Sequence, residues 1–252
     1  MKNRATDFLL IDVSNSFTKI AWSSRRQLRV VHRFATSDLR GALVREILKK
    51  HDARNIVVSS VVPARNREIK KAAGNRRVIW LTARSQLNVR INYPRPQTIG
   101  ADRLANAVAV TALFGTPAIV IDFGTAVTFD IVSADAAYIG GVIAPGLEAM
   151  TNFLYQRTAL LPRISLREPP SAIGKTTRDA MLAGAVFGYR GLVQEILRQI
   201  IAEKFPGKRV HIVATGGYAD LVAKKVAQVK AIHQNLTLEG LRIVGCLNSI
   251  TQ

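Results

Sequence analysis

Two segments of the chain, Leu9-Leu10-Ile11-Asp12-Val13-Ser14-Asn15-Ser16-Phe17-Thr18-Lys19-Ile20 and Val120-Ile121-Asp122-Phe123-Gly124-Thr125-Ala126-Val127-Thr128-Phe129-Asp130-Ile131, share one grammar: an apolar strand, an aspartate, a small polar turn and a second strand. Turns of Ser, Asn, Gly and Thr present backbone N–H groups and hydroxyls with no bulky side chain in the way, so phosphate oxygens can come close. An aspartate ending the first strand can hold Mg²⁺ beside those oxygens, directly or through water. Either segment alone is also an ordinary hairpin. The repeat at a spacing of 110 residues is what points to a pair that clamps a nucleotide tail from both sides.

A third cluster, Thr98-Ile99-Gly100-Ala101-Asp102-Arg103-Leu104-Ala105-Asn106, opens a helix whose apolar side is Leu104, Ala107, Val108, Thr111 and Ala112. Asp102 and Arg103 fall in its first turn. The positive end of the helix dipole suits Asp102, but Arg103 has the wrong sign for that position. An aspartate that accepts a hydroxyl proton and an arginine that binds a carboxylate would explain both.

The elements that must position these residues follow from periodicity and turn chemistry. Strands are expected near 7–13, 17–22, 28–34, 55–60 and 78–81, then near 118–123, 126–133, 137–143 and 209–214. Helices are expected near 38–51, 63–73, 101–114, 145–158, 176–205 and 217–228. Hairpins followed by alternating helices and strands describe an α/β layered domain, here duplicated.

With 252 residues, 48% of them hydrophobic, the composition is globular and large enough for one or two cores. The single cysteine, Cys246, excludes an internal disulfide, fits a reducing compartment and reads as core from its apolar surroundings. The uncharged stretch Leu104–Ile121 is interrupted by Gly115-Thr116-Pro117, which suits a helix-to-strand turn better than a membrane span. The apolar run Phe8–Ile11 is too short for a signal sequence, so a cytoplasmic protein is expected. The net charge of +19 is concentrated in the first half, where residues 1–126 hold 22 basic and 8 acidic side chains. It reads either as a solvated face or as a surface that steers anions or nucleic acid. No helix-turn-helix, zinc-finger or aromatic-interleaved basic motif accompanies it, so specific nucleic-acid binding is not expected.

In these residues the chain resembles the type III pantothenate kinases, members of the acetate and sugar kinase/Hsp70/actin superfamily. Besides the two turns and Gly100-Ala101-Asp102-Arg103, the likeness includes Tyr93-Pro94, Gly140-Gly141-Val142-Ile143-Ala144-Pro145-Gly146-Leu147, Ile173-Gly174-Lys175-Thr176-Thr177, Thr215-Gly216-Gly217 and Leu236-Thr237-Leu238-Glu239-Gly240-Leu241. The resemblance implies duplicated actin-like, ribonuclease H-like domains with a nucleotide cleft between them: 1–114 with the first phosphate loop and the Gly-Ala-Asp-Arg cluster, and 115–252 with the second loop. It implies ATP-dependent phosphorylation of pantothenate, the first step toward coenzyme A, by a homodimer that uses Mg²⁺ and a monovalent cation, K⁺ or NH₄⁺.

Carried over position by position, Asp12, Val13, Ser14, Asn15, Ser16, Phe17, Thr18 and Lys19 would form the first ATP loop, with Asp12 holding Mg²⁺ through water. Asp122 to Thr128 would form the second loop, Thr125 contacting ATP and Asp122 the monovalent cation. Asp102 would be the general base, and Tyr93, Gly100, Ala101, Arg103 and Thr177 would line the pantothenate pocket with it. Thr215-Gly216-Gly217 resembles the superfamily's adenosine-side turn. Taken alone, Tyr93 is a loop aromatic and Thr177 a helix N-cap, while Gly140, Gly141 and Gly146 shape a strand-to-helix turn. An aspartate of ordinary pKa, about 3.9, would mainly position the substrate hydroxyl.

Three positions depart from the family pattern: Ser14 for a usual Gly, Ser16 for a usual Thr and Val127 for a usual Thr. Ser14 matters most, because a non-glycine forced to positive φ is strained by roughly 1–2 kcal/mol. A non-catalytic paralogue with a regulatory or nucleic-acid-binding role is the alternative that an intact fold would also allow.

Overall fold

The computed structural model describes residues 7–50, 53 and 55–249. In chain order the elements are β1 (Phe8–Val13), β2 (Phe17–Ser23), β3 (Leu28–Ala35), α1 (Gly41–Lys50), β4 (Asn55–Ser60), α2 (Pro63–Ala73), β5 (Arg77–Trp80), β6 (Arg90–Ile91), α3 (Ala101–Leu113), β7 (Ala118–Phe123), β8 (Ala126–Val132), β9 (Ala137–Pro145), α4 (Leu147–Arg157), α5 (Thr177–Lys204), β10 (His211–Thr215), α6 (Ala219–Val222), β11 (Ala231–Ile232) and α7 (Leu236–Asn248). They group into two compact units. Unit 1 is residues 1–114, 136–139 and 235–252, and unit 2 is residues 115–135 and 140–234.

Unit 1 is built on a sheet of order β3-β2-β1-β4-β5, with β1 antiparallel to β2 and parallel to β4. All six residues of β1 are buried, because both faces of this central strand are covered. On one face Leu9, Ile11, Val13 and Ile20 pack against Val44, Ile47 and Leu48 of α1 and Ile69 and Ala72 of α2. The apolar spacing of α1 and the proline opening α2 account for those helices. On the other face lie Phe8, Leu10 and Asp12, and α7 settles there: a Cβ on Gly245 would touch Phe8 and Val57.

The helix α7 differs from the sequence reading, which placed no helix there. Its two interior glycines lower its intrinsic helix propensity by roughly 1 kcal/mol each, yet packing requires one of them. A Cβ on Gly240 would run into the backbone of Ala105, 2.9 Å from its Cα and nearer still to its carbonyl. Close approach of α3 and α7 is secured by a buried hydrogen bond from Thr237 Oγ1 to Asn106 Oδ1, 2.9 Å. That packing also explains why 235–252 groups with unit 1 rather than with the second half, where a simple division at 114/115 put it. Cys246 on this helix is half-buried, its Sγ donating to the Arg25 carbonyl, and so is not the core residue its neighbours suggested.

Unit 2 repeats the plan: in the six-stranded sheet β11-β10-β7-β8-β9-β6, with β7 antiparallel to β8 and parallel to β10, the first five strands run β11-β10-β7-β8-β9. Position for position this is the order of unit 1, so the duplication is one of topology as well as of motif. The expected helix near 217–228 is instead α6 followed by a 3₁₀ turn, Ala223–Lys225. Its buried residues Val222, Ala223 and Val226 keep a three-to-four spacing that a 3₁₀ turn satisfies as well as an α-helix. No described helix is long and apolar enough to cross a membrane.

Candidate active site

In unit 1 the first turn joins β1 to β2 and is closed by Ser14 N–H donating to the Phe17 carbonyl, 3.2 Å. Thr36 braces it from below: its Oγ1 donates to the Ser14 carbonyl at 2.7 Å, and its N–H donates to the Ser16 carbonyl at 3.0 Å. Thr18 Oγ1 lies 3.0 Å from the same hydroxyl. These bonds hold the turn's carbonyls on its inner side and leave Asn15 and Ser16 exposed at its tip. Ser14 does not have a positive φ, a conformation that among the described non-glycine residues belongs to Ala136 alone. The strain that a serine in a glycine position would carry is therefore absent. Asp12 is buried at the end of β1, opposite Lys19 on β2 and Ser59 on β4.

The first turn of α3 carries the second part of the unit 1 site. Gly100 is its N-cap, with ordinary extended backbone angles. What the position demands is space: a Cβ there would lie 2.6 Å from Asp102 Oδ1. The carboxylate folds back over the helix start and accepts the Arg103 N–H at 2.8 Å. Burial pushes the Asp102 carboxyl above its ordinary value, and the Arg103 amide and guanidinium only partly oppose that. Asp102 is thus a stronger base than an ordinary aspartate, a departure from the sequence expectation. Arg103 holds its guanidinium carbon 5.8 Å from the ring centroid of Tyr138, and Tyr138 meets Tyr93 edge-on at 6.2 Å. Tyr93 and Tyr138 are neighbours because β6 pairs with the start of β9, Ile91 opposite Tyr138.

In unit 2 the second turn closes with Gly124 N–H donating to the Ala126 carbonyl, 3.1 Å. Gly146, the N-cap of α4, donates its N–H to the Thr125 carbonyl at 3.1 Å, and a Cβ on Gly146 would strike the Thr125 and Gly124 carbonyls. Gly146 therefore shapes the turn, as its sequence context suggested. Asp122 stands opposite Thr128 on β8 and Thr215 on β10. Gly216 follows at φ +94°, where a Cβ would lie 2.6 Å from both Asp122 Oδ1 and the Phe123 carbonyl oxygen. Only glycine fits so close to this group of oxygens. Thr177 is the first residue of α5 and is exposed, but the N-cap is Thr176, whose Oγ1 accepts the Asp179 N–H at 3.1 Å.

A sequence profile described as type III pantothenate kinase matches residues 8–199. The chain is 46% identical to the type III pantothenate kinase of Akkermansia muciniphila over 96% of its own length and 99% of that protein. It is 41% identical to that of Methylacidiphilum infernorum over 94% and 87%. The chain belongs to the type III pantothenate kinase family. Among solved structures the fold is shared with an archaeal actin homologue (TM-score 0.54, 12% identity, 94% of this chain and 98% of that one) and with the ROK hexokinase of Thermus thermophilus (TM-score 0.54, 13% identity, 96% and 98%). The two units of this kinase are therefore duplicated actin-like domains.

The donor set fits the metals such a kinase would use. Among the described residues no three His, Cys, Asp or Glu side chains gather into a protein-only metal cage. Mg²⁺ needs none, since it is commonly held by one or two carboxylates, water and substrate phosphates. Asp12, a single buried carboxylate at the base of the first turn, fits that pattern. Asp122 Oδ1 and the Phe123 carbonyl oxygen each lie 2.6 Å from where a Gly216 Cβ would stand, so oxygen ligands, the kind a hard cation takes, gather beside Gly216.

Two residues of these sites escaped the sequence reading. Thr36 supports the first turn from 22 residues away, and nothing local marks it. Tyr138 had a usable signal: it is the second residue of β9, the strand that runs into the Gly140-to-Leu147 motif.

Proposed function

We propose that the chain phosphorylates pantothenate at its terminal hydroxyl with ATP, yielding 4'-phosphopantothenate, the first step of coenzyme A biosynthesis. The observation that carries this reading is Asp102, a carboxylate held above its ordinary pKa beside a guanidinium in one helix turn, within a chain that belongs to this kinase family. The alternative of a non-catalytic paralogue is not favoured by relatives of 46% and 41% identity named as the kinase.

Arg103 binds the pantothenate carboxylate, and its approach to the Tyr138 ring, 5.8 Å to the centroid, supports that orientation. Asp102 accepts the proton of the attacking hydroxyl. Because its raised pKa narrows the gap to the hydroxyl, it acts as a base as well as an aligner. Tyr93, Gly100 and Ala101 complete the pantothenate pocket of unit 1, and in unit 2 Thr177 offers an exposed hydroxyl. Residues 12–19 in unit 1 and Thr125 in unit 2 each offer turn N–H groups and hydroxyls to phosphate oxygens of ATP. Bound Mg²⁺ at Asp12, through water, and K⁺ or NH₄⁺ at Asp122 would neutralise phosphate charge as it builds up. Alignment and charge neutralisation are expected to carry most of the acceleration of a loose phosphoryl transfer.

We further propose that the kinase works in the cytoplasm as a homodimer. The support for a second copy is an apolar groove of about 850 Å³ between α4 and α5, lined by Met150, Phe153, Leu154 and Met181, with Phe153 60% exposed. The test of function is direct: ATP-dependent formation of phosphopantothenate by the purified chain, and its loss in Asp102→Asn with ATP binding retained. ATP turnover on other alcohols but not on pantothenate would overturn the assignment.

A further inference from the structure

Four residues stand in register across the unit 1 sheet: Ser59 on β4, Asp12 on β1, Lys19 on β2 and Arg33 on β3. Register partners project to the same face, and the residue two before Lys19 on that face is Phe17. The row opens outward from buried Ser59 and Asp12, through half-buried Lys19, to exposed Arg33. At its inner end Ser59 Oγ is buried and makes no hydrogen bond within the described protein. At its outer end the Arg33 guanidinium carbon sits 3.4 Å from the ring centroid of Phe17, which is itself 42% exposed at the edge of the first turn.

Two features of this row call for an anion. The row sets two cations, Lys19 and Arg33, against one carboxylate, Asp12, which faces Lys19, so the excess of positive charge falls at its outer end, at Arg33. The Phe17 ring also restrains Arg33 without using its five N–H donors, so the fork is ordered in advance for a planar or tetrahedral oxyanion. We propose that Arg33, stacked on Phe17, is a further phosphate-binding residue of the first turn, donating a bidentate pair of hydrogen bonds to phosphate oxygens of the donor nucleotide. Lys19 supplies a point charge in the same row, and Arg33 supplies directional donors. The inference rests on the reading of residues 12–19 as an ATP loop.

The test uses the full chain and measures ATP binding by calorimetry with Mg²⁺, beside steady-state kinetics. Arg33→Met keeps the length and apolar contact with Phe17 but removes the charge. It should raise Kd and KM for ATP about fivefold to tenfold, as expected for losing a partly exposed charge-assisted contact, while kcat and KM for pantothenate move less than twofold. Arg33→Lys should recover less than half of that loss, because the charge returns without the fork. Phe17→Leu should weaken ATP similarly, and the double variant should add little to either single one. Arg26→Met, at the exposed far end of the β2–β3 hairpin, is the control for net charge and should change nothing. Unchanged ATP affinity in Arg33→Met, or an equal loss in Arg26→Met, overturns the proposal. A parent that binds ATP through Arg33 but phosphorylates no pantothenate leaves the proposal standing and removes the proposed reaction. A parent that binds no ATP removes both.

Discussion

Replacing Gly100 by alanine separates the catalytic geometry of the kinase from its fold. The backbone at Gly100, φ −57° and ψ 139°, is one that alanine adopts without strain, so the substitution acts only through its added methyl. That carbon would sit 2.6 Å from Asp102 Oδ1, about 0.8 Å inside ordinary contact, whereas its other neighbours, Arg103 Cγ and Val61 Cγ1, lie at a comfortable 3.6 Å. Relief therefore comes from rotating the Asp102 carboxylate, which also gives up the 2.8 Å bond from the Arg103 amide. A displacement of that size at a general base is worth about 100-fold in kcat. Stability should hardly change, because the group that moves is the end of one side chain. The assay couples ADP release to NADH oxidation with pantothenate as acceptor, beside a thermal melt of each protein. A Gly100→Ala enzyme within threefold of the parent kcat, folded and equally stable, would refute the placement of the base.

Asp102→Asn should cut kcat by roughly 10²–10⁴ with ATP affinity nearly intact. It should also melt at a higher temperature at neutral pH: a pKa raised in the folded state means the charged carboxylate costs stability above that pKa, and the gain over the parent should vanish as pH falls below the unfolded value of 3.8. For the same reason kcat/KM of the parent should fall off in acid at a higher pH than an ordinary carboxylate would dictate, a limb read from a pH profile. Asp122→Ala, or K⁺ replaced by Na⁺ at fixed ionic strength, should lower activity sharply; equal rates in both salts would remove the cation role from Asp122. Phe153→Glu should yield a monomer by light scattering if the α4–α5 groove is covered by a second copy.

The strand–aspartate–turn motifs were legible because they are local: six apolar or acidic residues in β1 and a compact polar turn declare themselves without knowledge of what surrounds them. Asp102 and Arg103 were legible for another reason, an arginine in a helix turn where the dipole disfavours it. What sequence could not show is set by long-range packing. Gly240 reads as a helix breaker until Ala105 is found against it, and Thr36 has no mark until its hydroxyl is seen under Ser14. Ser14 shows the opposite failure. It stood out as a departure from a pattern, yet its φ lies outside the left-handed region, so the serine costs the turn nothing there. The basicity of Asp102 was misjudged because a pKa depends on burial, and burial belongs to the fold.

The duplication also explains why the two turns should be assigned different partners. Asp12 and Asp122 end equivalent central strands, and each faces one residue on the antiparallel neighbour and one on the parallel neighbour. For Asp12 these are Lys19 and Ser59; for Asp122 they are Thr128 and Thr215. The first aspartate thus has a protein cation in its row and the second has only hydroxyls. If the turns bind phosphate as proposed, a phosphate approaching the first would meet positive charge supplied by the chain, whereas at the second the carboxylate, the neighbouring Phe123 carbonyl and the threonines are all oxygen donors. On the proposed reading, Mg²⁺ at Asp12 adds to the charge of Lys19 at the first turn, whereas at the second all neutralisation would come from the monovalent cation proposed at Asp122. If Thr128 were changed to lysine, the second turn would acquire the charge pattern of the first. Such a variant should depend less on K⁺ than the parent, even if its absolute rate is lower. Undiminished K⁺ dependence in a folded Thr128→Lys enzyme would show that the ion does more at Asp122 than supply charge.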